Sequence, residues 1–149
     1  MKIASIKKRI LAYVLDMIPI FAVVFFIFYN FFGFDELLKA FLVSEKDIDL
    51  KIEFLTERNK IRDLSLFVWV LYGLIMDSTR FQGTHGKVIM KIKIVNSGGY
   101  KISLYQSFRR TLMKMVGGIP LFIGWLWAVF RKDKTTWHDI YARTYVVES

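Results

Sequence analysis

The stretch ILAYVLDMIPIFAVVFFIFYNFF, residues 10–32, decides the fold class, because 20 of its 23 residues are apolar. A helix of this length is roughly 34 Å long, enough to cross a hydrocarbon core of about 30 Å. A chain of 149 residues offers little mass to bury such a helix on all sides. The run is too long for the apolar region of a signal peptide, and no small-residue cleavage site follows it. We therefore expect a retained transmembrane helix at about residues 7–32.

A carboxylate, Asp16, lies inside this run, with Arg9 before it and Pro19 after it. Arg9 and Asp16 are seven residues apart, which places them on nearly the same helical face, roughly 10 Å apart along the axis. A carboxylate in hydrocarbon costs several kcal/mol unless it is paired, hydrated or protonated. Pro19 lacks an N–H and leaves the carbonyl of Leu15 without its helical partner. Two interpretations stay open: a cation or proton site, and a buried salt bridge that locks helix 1 to a cytoplasmic subdomain.

The net charge of +9 has a membrane explanation. In a soluble protein it would indicate nucleic acid, but the cytoplasmic flanks of membrane helices also collect Lys and Arg, which anionic lipid head groups attract. We expect the lipid bilayer and the anionic head groups of its cytoplasmic face as partners, and no nucleic acid. The chain has no cysteine, which excludes disulfides and cysteine-based metal or redox sites.

Two further apolar blocks follow. Residues 64–76 predict a second transmembrane helix at about 61–80, just long enough to span in a thin or tilted setting. Residues 115–130 contain a Gly-Gly-x-Pro break at 117–120 and fit a re-entrant or interfacial segment at least as well as a span. We expect this block within a membrane-embedded or interfacial helical pair at about 103–131.

Loop charges predict the topology. Residues 33–63 carry eight acids and six bases, whereas residues 77–110 carry seven Lys or Arg against the single Asp77. The positive-inside rule then places the N-terminus and residues 77–110 in the cytoplasm, and the segment 33–60 outside, as surface helices over the outer face. The expected location is the cell membrane (inner or plasma membrane), with several crossings.

A small cytoplasmic β-structure is predicted after the second helix. Lys91 and Lys93 alternate with Ile92 and Ile94, and Asn-Ser-Gly-Gly then makes a turn, which predicts a β-hairpin at about 87–102. The tail forms a strand-like run at 144–147, for which the hairpin is the obvious partner. A three-stranded sheet would make the C-terminus cytoplasmic as well.

An amphipathic helix is expected after the hairpin. Leu104, Phe108, Leu112 and Met115 recur at steps of four, four and three residues. The basic residues of this segment fall elsewhere on the helical wheel: Arg109, Arg110 and Lys114. We expect the helix at the inner interface, with its basic side towards the head groups.

The residues carry no catalytic or metal signature. GTHGK, residues 83–87, lacks the first glycine and the final Ser or Thr of a phosphate-binding loop. His85 and His138 lack metal-ligand spacing, and no nucleophile–base set is visible. We therefore expect no enzyme, cofactor or metal, and take Asp77 for a hydrated charge at a helix end rather than a site.

The tail offers partners for helix 1. Asp139, next to His138, lies on the predicted cytoplasmic side, as Arg9 does. An Arg9–Asp139 pair, or an Arg143–Asp16 pair, would tie the tail to the first helix.

Four segments together carry a family resemblance: KRILAYVLDMIPI, GTHGKVIMKIKIVNSGG, SFRR and WHDIYARTYVV. In order and spacing, across residues 7–147, the chain resembles the RDD family of bacterial and archaeal membrane proteins, named for one arginine and two aspartates. The resemblance implies that Arg9 and Asp16 are the arginine and the first aspartate. It implies Asp139 as the second aspartate, with Asp77 the weaker candidate.

Further positions match the family pattern. Thr84, Gly86 and Lys87 match its T-x-G-K segment. Lys91 stands where the family usually has glycine, and Asn96 where it often has Asp, so the chain departs from the family pattern at two positions of the hairpin.

The resemblance leaves the molecular function unsettled, although cation/proton exchange has been proposed for some members. We expect a mostly α-helical membrane protein with two full transmembrane helices, the C-terminal helical pair and the small β-structure. The expected function is a non-enzymatic membrane component, an accessory or assembly partner. The alternative is a cation or proton transporter using Asp16, which would need a homo-oligomer because two spans enclose little of a pathway.

Overall fold

The computed structural model describes residues 2–44, 46–118 and 135–149. Its elements, in chain order, are α1 (Ile6–Phe31), α2 (Phe34–Val43), α3 (Ile48–Asp77), α4 (His85–Ile89), β1 (Ile92–Asn96), α5 (Leu104–Gly118), α6 (Trp137–Ala142) and β2 (Thr144–Glu148). They form two compact units. Unit 1 contains Met1–Asp16 and Val70–Ser149, and unit 2 contains Met17–Trp69. Most of the predicted re-entrant block lies outside the described residues.

Helix α1 agrees with the predicted first helix to within a residue at each end. Among the described helices it alone is long and apolar enough to cross a membrane, with a mean hydropathy of 2.5 over its most apolar window. Many of its large apolar side chains are exposed, for example Ile18 (61%) and Phe26 (60%). Such a surface is typical of a helix that meets lipid rather than a protein core.

Helix α3 begins at Ile48, well before the predicted start of the second helix at residue 61. Asp47 caps it: its side chain accepts hydrogen bonds from the backbone N–H groups of Asp49 and Leu50, at 3.0 and 3.2 Å. The apolar part, residues 64–76, would extend over only about 20 Å. By length and composition α3 therefore does not establish a second full span.

The predicted β-hairpin is wrong. Strand β1 pairs with β2, antiparallel, with Ile94 opposite Val146. The expected return arm after the turn forms no strand, because α5 begins at Leu104, four residues after Tyr100, whose carbonyl accepts a hydrogen bond from the N–H of Asn96 at 2.9 Å. Too few residues remain for a second arm. The tail strand was predicted to pair with the hairpin segment, and its pairing with β1 confirms this for the first arm.

The N-terminal segment completes this small sheet. Ile3 forms a bridge with Val147, and the N–H of Ala4 donates to the carbonyl of Val146 at 2.9 Å. The first residues therefore lie along the free edge of β2, opposite β1. Both ends of the chain are held side by side in unit 1.

Lys91 links α4 to β1 with a positive φ of 54°. This left-handed conformation is unstrained for glycine and costs energy for other residues. It would suit the glycine that the family resemblance leads us to expect at this position.

Each unit has its own apolar core. The core of unit 1 lies between the sheet and the start of α1 and consists of Ala4, Ala12, Ile92, Ile94, Ile102 and Val146. The core of unit 2 is built on Val24, Phe34 and Ile61 and is enlarged by partly buried Phe25, Phe28, Tyr29, Leu37 and Phe54.

Candidate functional site: a buried charge cluster

Asp16 is buried in unit 1, with only 3% of its surface exposed. Its Oδ2 accepts a hydrogen bond from the Thr84 hydroxyl at 2.5 Å, and its Oδ1 accepts one from the Gly86 N–H at 2.8 Å. Thr84 is the N-cap of α4, so the carboxylate lies where a helix leaves backbone N–H groups without internal acceptors. Both oxygens of Asp16 thus bind the loop and short helix that follow α3.

Gly86 allows this close approach. A Cβ at this position would lie 2.1 Å from the carbonyl oxygen of Ala12, far inside any van der Waals contact. Ala12 is itself fully buried. Backbone therefore packs directly on backbone between α4 and α1, and any side chain at residue 86 would push them apart.

Asp139 is shared by two guanidinium groups. Its Oδ2 lies 3.0 Å from Arg9 Nη1, and its Oδ1 lies 2.8 Å from Arg110 Nη2. Its side chain also completes a capping box with Thr136 at the start of α6. The predicted Arg9–Asp139 pair is confirmed, and it fastens the tail to α1 and α5 at once.

The alternative Arg143–Asp16 pair is wrong. Arg143 is exposed and ends α6 in a left-handed conformation, with φ 51°. This turn leads the chain into β2, and Asp16 already has Thr84 and Gly86 as partners.

Burial and charge act in opposite directions on Asp139. Burial would raise the pKa of its carboxyl, but the positive charges of Arg110 and Arg9 outweigh this and hold the pKa well below its usual range. Burial lowers the pKa of His138 well below its usual value, although Asp139 raises it. At neutral pH the tail therefore presents an ionised Asp139 beside a neutral His138.

Asp77 is a second buried centre, and the prediction of a hydrated charge at a helix end is wrong. Its side chain is fully buried, 2.5 Å from Lys87 Nζ and 3.9 Å from Lys114 Nζ. Helix α5 covers the end of α3, where the hydroxyl of Ser107 donates to the carbonyl of Leu74 at 2.7 Å. The carboxylate therefore lies away from the protein surface, and the two lysines compensate its charge.

Helix α5 is turned the opposite way from the prediction for two of its three basic residues. Its polar side points inward, with Arg110 1% exposed and the Lys114 side chain 17% exposed. Its outer side is apolar: Leu104, Tyr105, Phe108, Leu112, Met115 and Val116 are exposed. Only Arg109 lies outward, over the ring of Tyr141 at 4.7 Å. The predicted amphipathicity is correct, but the predicted outward orientation of Arg110 and Lys114 is wrong.

The structure also gives the positions of Pro19 and His85, which the sequence analysis singled out. Pro19 lies inside α1, three residues beyond Asp16. His85 binds the hydroxyl of Tyr72 through its ring and its backbone N–H. In the part of the chain that the structure describes, no group of three or more His, Cys, Asp or Glu side chains could hold a metal ion.

Sequence reasoning missed the inward role of Arg110 and Lys114, although a signal was present. Ser107, Arg110 or Thr111, and Lys114 recur at steps of three and four, opposite the apolar stripe. In a membrane protein, such a polar side of a helix is expected to be buried against the rest of the protein.

The sequence profile of the RDD family matches residues 3–143. The chain belongs to the RDD family. An uncharacterized protein of Bacillus subtilis (strain 168), YxaI, is 33% identical over 84 residues, which make up 56% of this chain and 55% of that protein. The match thus spans about half the length of this curated relative. No solved structure matches the chain.

In this RDD membrane protein Arg9, Asp16 and Asp139 are all buried. Arg9 binds Asp139 across 130 residues of sequence, and Asp16 binds Thr84 and Gly86 across 68 and 70. These contacts join the first helix to the tail and to the loop and short helix that follow α3.

Proposed function

We propose that this RDD protein is a non-enzymatic, multi-pass component of the cell membrane, an accessory or assembly partner of other membrane components. Its buried charges fasten the first transmembrane helix to a cytoplasmic subdomain. The observation that carries this proposal is the environment of Asp16, whose two oxygens are both taken by hydrogen bonds from unit 1.

A transported cation needs a carboxylate that can bind and release it. Asp16 is engaged by a hydroxyl and a backbone N–H. Asp139 and Asp77 each lie between two cationic side chains, which repel a further cation. Cation binding would first have to break these contacts, so the geometry favours the structural role over the transport alternative.

Proteoliposomes loaded with a pH-sensitive dye separate the two roles. We expect no proton flux in the wild type under imposed Na⁺ or K⁺ gradients, and lower thermal stability in Asp16→Asn. Asp63→Asn, at a side chain 64% exposed, is the matched control and should keep its stability. Wild-type flux that disappears in a stably folded Asp16→Asn would overturn the proposal in favour of an oligomeric transporter.

The topology proposal follows from the joined ends of the chain. Lys2 and Ala4 hydrogen-bond to Glu148 and Val146, so both termini lie on one side of the membrane and the number of crossings is even. The positive-inside rule makes that side the cytoplasm. With α1 as one span, the apolar half of α3 is proposed as a second, shortened one.

Reporter fusions test this topology. A reporter active only outside the cytoplasm should be silent at the C-terminus and active when inserted between α2 and α3. Activity at the C-terminus, or silence at the inserted site, would contradict two crossings.

The outward apolar side of α5 and the exposed Trp137, Ile140 and Tyr141 of α6 are proposed to meet the cytoplasmic leaflet. Arg109 lies among these aromatic side chains, where it can bind anionic head groups. As for a protein partner, only the alternative function of cation or proton transport would require a homo-oligomer. In a variant that keeps Trp137 as its only tryptophan, we expect lipids with brominated acyl chains to quench the tryptophan fluorescence. Unchanged fluorescence would show that this surface does not contact the bilayer.

A further inference from the structure

A pocket of about 330 Å³ lies in unit 1, beside α6, the start of β2 and the turn after β1. Its lining includes one guanidinium, one carboxylate, three hydroxyl groups and one apolar side chain, from Arg143, Asp139, Ser97, Thr135, Thr144 and Ile140. Small-molecule sites usually enclose about 300–1,000 Å³. The pocket therefore suits a small polar group rather than an acyl chain.

Two buried polar atoms of this lining lack a hydrogen-bond partner. The hydroxyl of Thr135, a residue 3% exposed, has no partner among the described residues. Asp139 Oδ1 pairs with Arg110 by charge, at 2.8 Å, but accepts no well-aligned hydrogen bond. Because buried polar groups are normally hydrogen-bonded, a hydroxylated ligand, which both donates and accepts, would complete this side of the pocket.

The other polar groups of the pocket favour an anion. Arg143 is exposed and supplies the positive charge of the lining. The Thr144 hydroxyl accepts a hydrogen bond from Arg110 Nη1 at 3.1 Å, which leaves its own hydrogen for a ligand. The carboxylate of Asp139 repels an anion little, because two guanidinium groups share its charge. Phosphate oxygens suit these donors, since guanidinium and phosphate form strong, charge-assisted hydrogen bonds.

The position of the pocket indicates the source of the phosphate. Ile140 belongs both to the lining and to the exposed apolar side of α6, together with Trp137 and Tyr141. That side is proposed to meet the cytoplasmic leaflet, which would bring lipid head groups to the pocket. Choline and ethanolamine head groups carry a cation that Arg143 repels, whereas a glycerol head group carries uncharged hydroxyls.

We propose that this pocket binds the head group of an anionic phosphodiester lipid of the phosphatidylglycerol class. The phosphate binds Arg143 and Thr144, and the glycerol hydroxyls bind Thr135 and Asp139. This inference rests on the proposed contact of α6 with the leaflet and adds the class of lipid to it. The lipid would hold α6 and the turn after β1 against the same head group.

Competition between two singly charged anionic lipids tests the preference for this head group. The full-length protein is placed in nanodiscs with equal amounts of phosphatidylglycerol and phosphatidylserine, and native mass spectrometry counts the lipids that stay bound after release. We expect phosphatidylglycerol to be retained about tenfold over phosphatidylserine, the factor of one or two additional hydrogen bonds. Equal retention of the two lipids would overturn the proposal.

Three variants make the test specific. Thr135→Val replaces an unpartnered hydroxyl by a methyl group, so it should keep the wild-type Tm and lose most of the preference. Arg143→Gln should lower the retention of phosphatidylglycerol about tenfold. Lys101→Gln removes an exposed cation outside the pocket and should keep the full preference. A preference that survives both pocket variants unchanged would mean that the lipid binds elsewhere, and would overturn the proposal.

Two further arms separate the sources and the proposals. Soluble glycerophosphoglycerol, added to nanodiscs of phosphatidylcholine alone, should not be retained, because it lacks the acyl chains that hold a lipid at the leaflet. Its retention would overturn the assignment to a lipid. Quenching of Trp137 by brominated acyl chains, without a preference for phosphatidylglycerol, would overturn this inference alone. Absence of quenching would contradict the leaflet contact on which the inference rests.

Discussion

The two units of this protein bury opposite kinds of side chain. Unit 1 encloses fully buried charges, such as Arg110 and Asp139, beneath a helix whose outer side is apolar. Unit 2 encloses aromatic rings, with Phe34 5.8 Å from Phe25 and 5.7 Å from Phe54 between ring centroids. Charges have few acceptable partners and orientations, whereas rings pack in several ways. This difference indicates that the buried charges of unit 1 specify a single packing arrangement more strictly than the aromatic rings of unit 2 do.

The membrane gives this difference its physical reason. Between helices in lipid, apolar contact brings little net gain, because the acyl chains are as apolar as the side chains. Hydrogen bonds and ion pairs then decide which surfaces meet. The cluster of Arg9, Asp16, Asp77, Arg110 and Asp139 supplies such contacts between segments far apart in the sequence.

Asp139→Asn should have the largest effect. It removes the negative charge from between Arg9 and Arg110 and leaves both guanidinium groups buried, at an expected cost of about 3–5 kcal/mol in the free energy of unfolding. Denaturant titration in micelles measures this. Asp35→Asn, in an exposed pair with Lys39, is the matched control and should change little. Equal losses of stability in the two variants would show that the buried charges of unit 1 have no special role.

Gly86→Ala should follow closely. Its Cβ would meet the Ala12 carbonyl, so α4 must move off α1 and lose the hydrogen bond to Asp16, at a cost of about 3 kcal/mol. Gly73→Ala is the control, because its Cβ meets nothing within 4 Å and a helix interior favours alanine. A wild-type melting curve for Gly86→Ala would mean that the backbone contact does not exist.

Phe34→Leu probes the aromatic unit and should cost less. It removes ring contacts but keeps an apolar side chain, so we expect a loss of about 1–2 kcal/mol. Phe31→Leu, at a residue 73% exposed, should be close to neutral in the same titration. A loss as large as that of Asp139→Asn would erase the contrast between the units.

A smaller change is expected from pH. The unfolded chain protonates His138 near its usual pKa of about 6.5, whereas burial holds the folded pKa well below that. Below about pH 6.5 the unfolded state therefore binds more protons, and Tm should fall as pH is lowered from 7.5 to 5. His138→Gln should flatten this slope. The pKa of Asp139 is lowered in the folded state, so this residue adds a further loss of stability only when the pH falls below about 4.

The sequence predicted those features that local patterns determine. The length and composition of α1 are local, and so is the amphipathic period of α5. The Arg9–Asp139 pair was also predictable, because a buried carboxylate and a nearby arginine need partners on the same side of the membrane.

The remaining features depend on long-range packing. The environment of Asp77 is set by α5, 30 residues later, and the partner of β1 is β2 rather than the adjacent segment. The close approach of Gly86 to Ala12 has no local signature at all. In each case a tertiary contact decides between arrangements that local sequence leaves equivalent.

A double-mutant cycle between Asp16→Asn and Thr84→Val tests the central claim most directly, namely that Asp16 serves to hold α4 on α1. The free energy of unfolding of the wild type, both single variants and the double variant would be measured in the same micelles. We predict a coupling of about 1 kcal/mol or more, because each single variant already breaks the shared hydrogen bond. Additivity within about 0.3 kcal/mol, with each single variant as stable as the wild type, would contradict a structural role for Asp16.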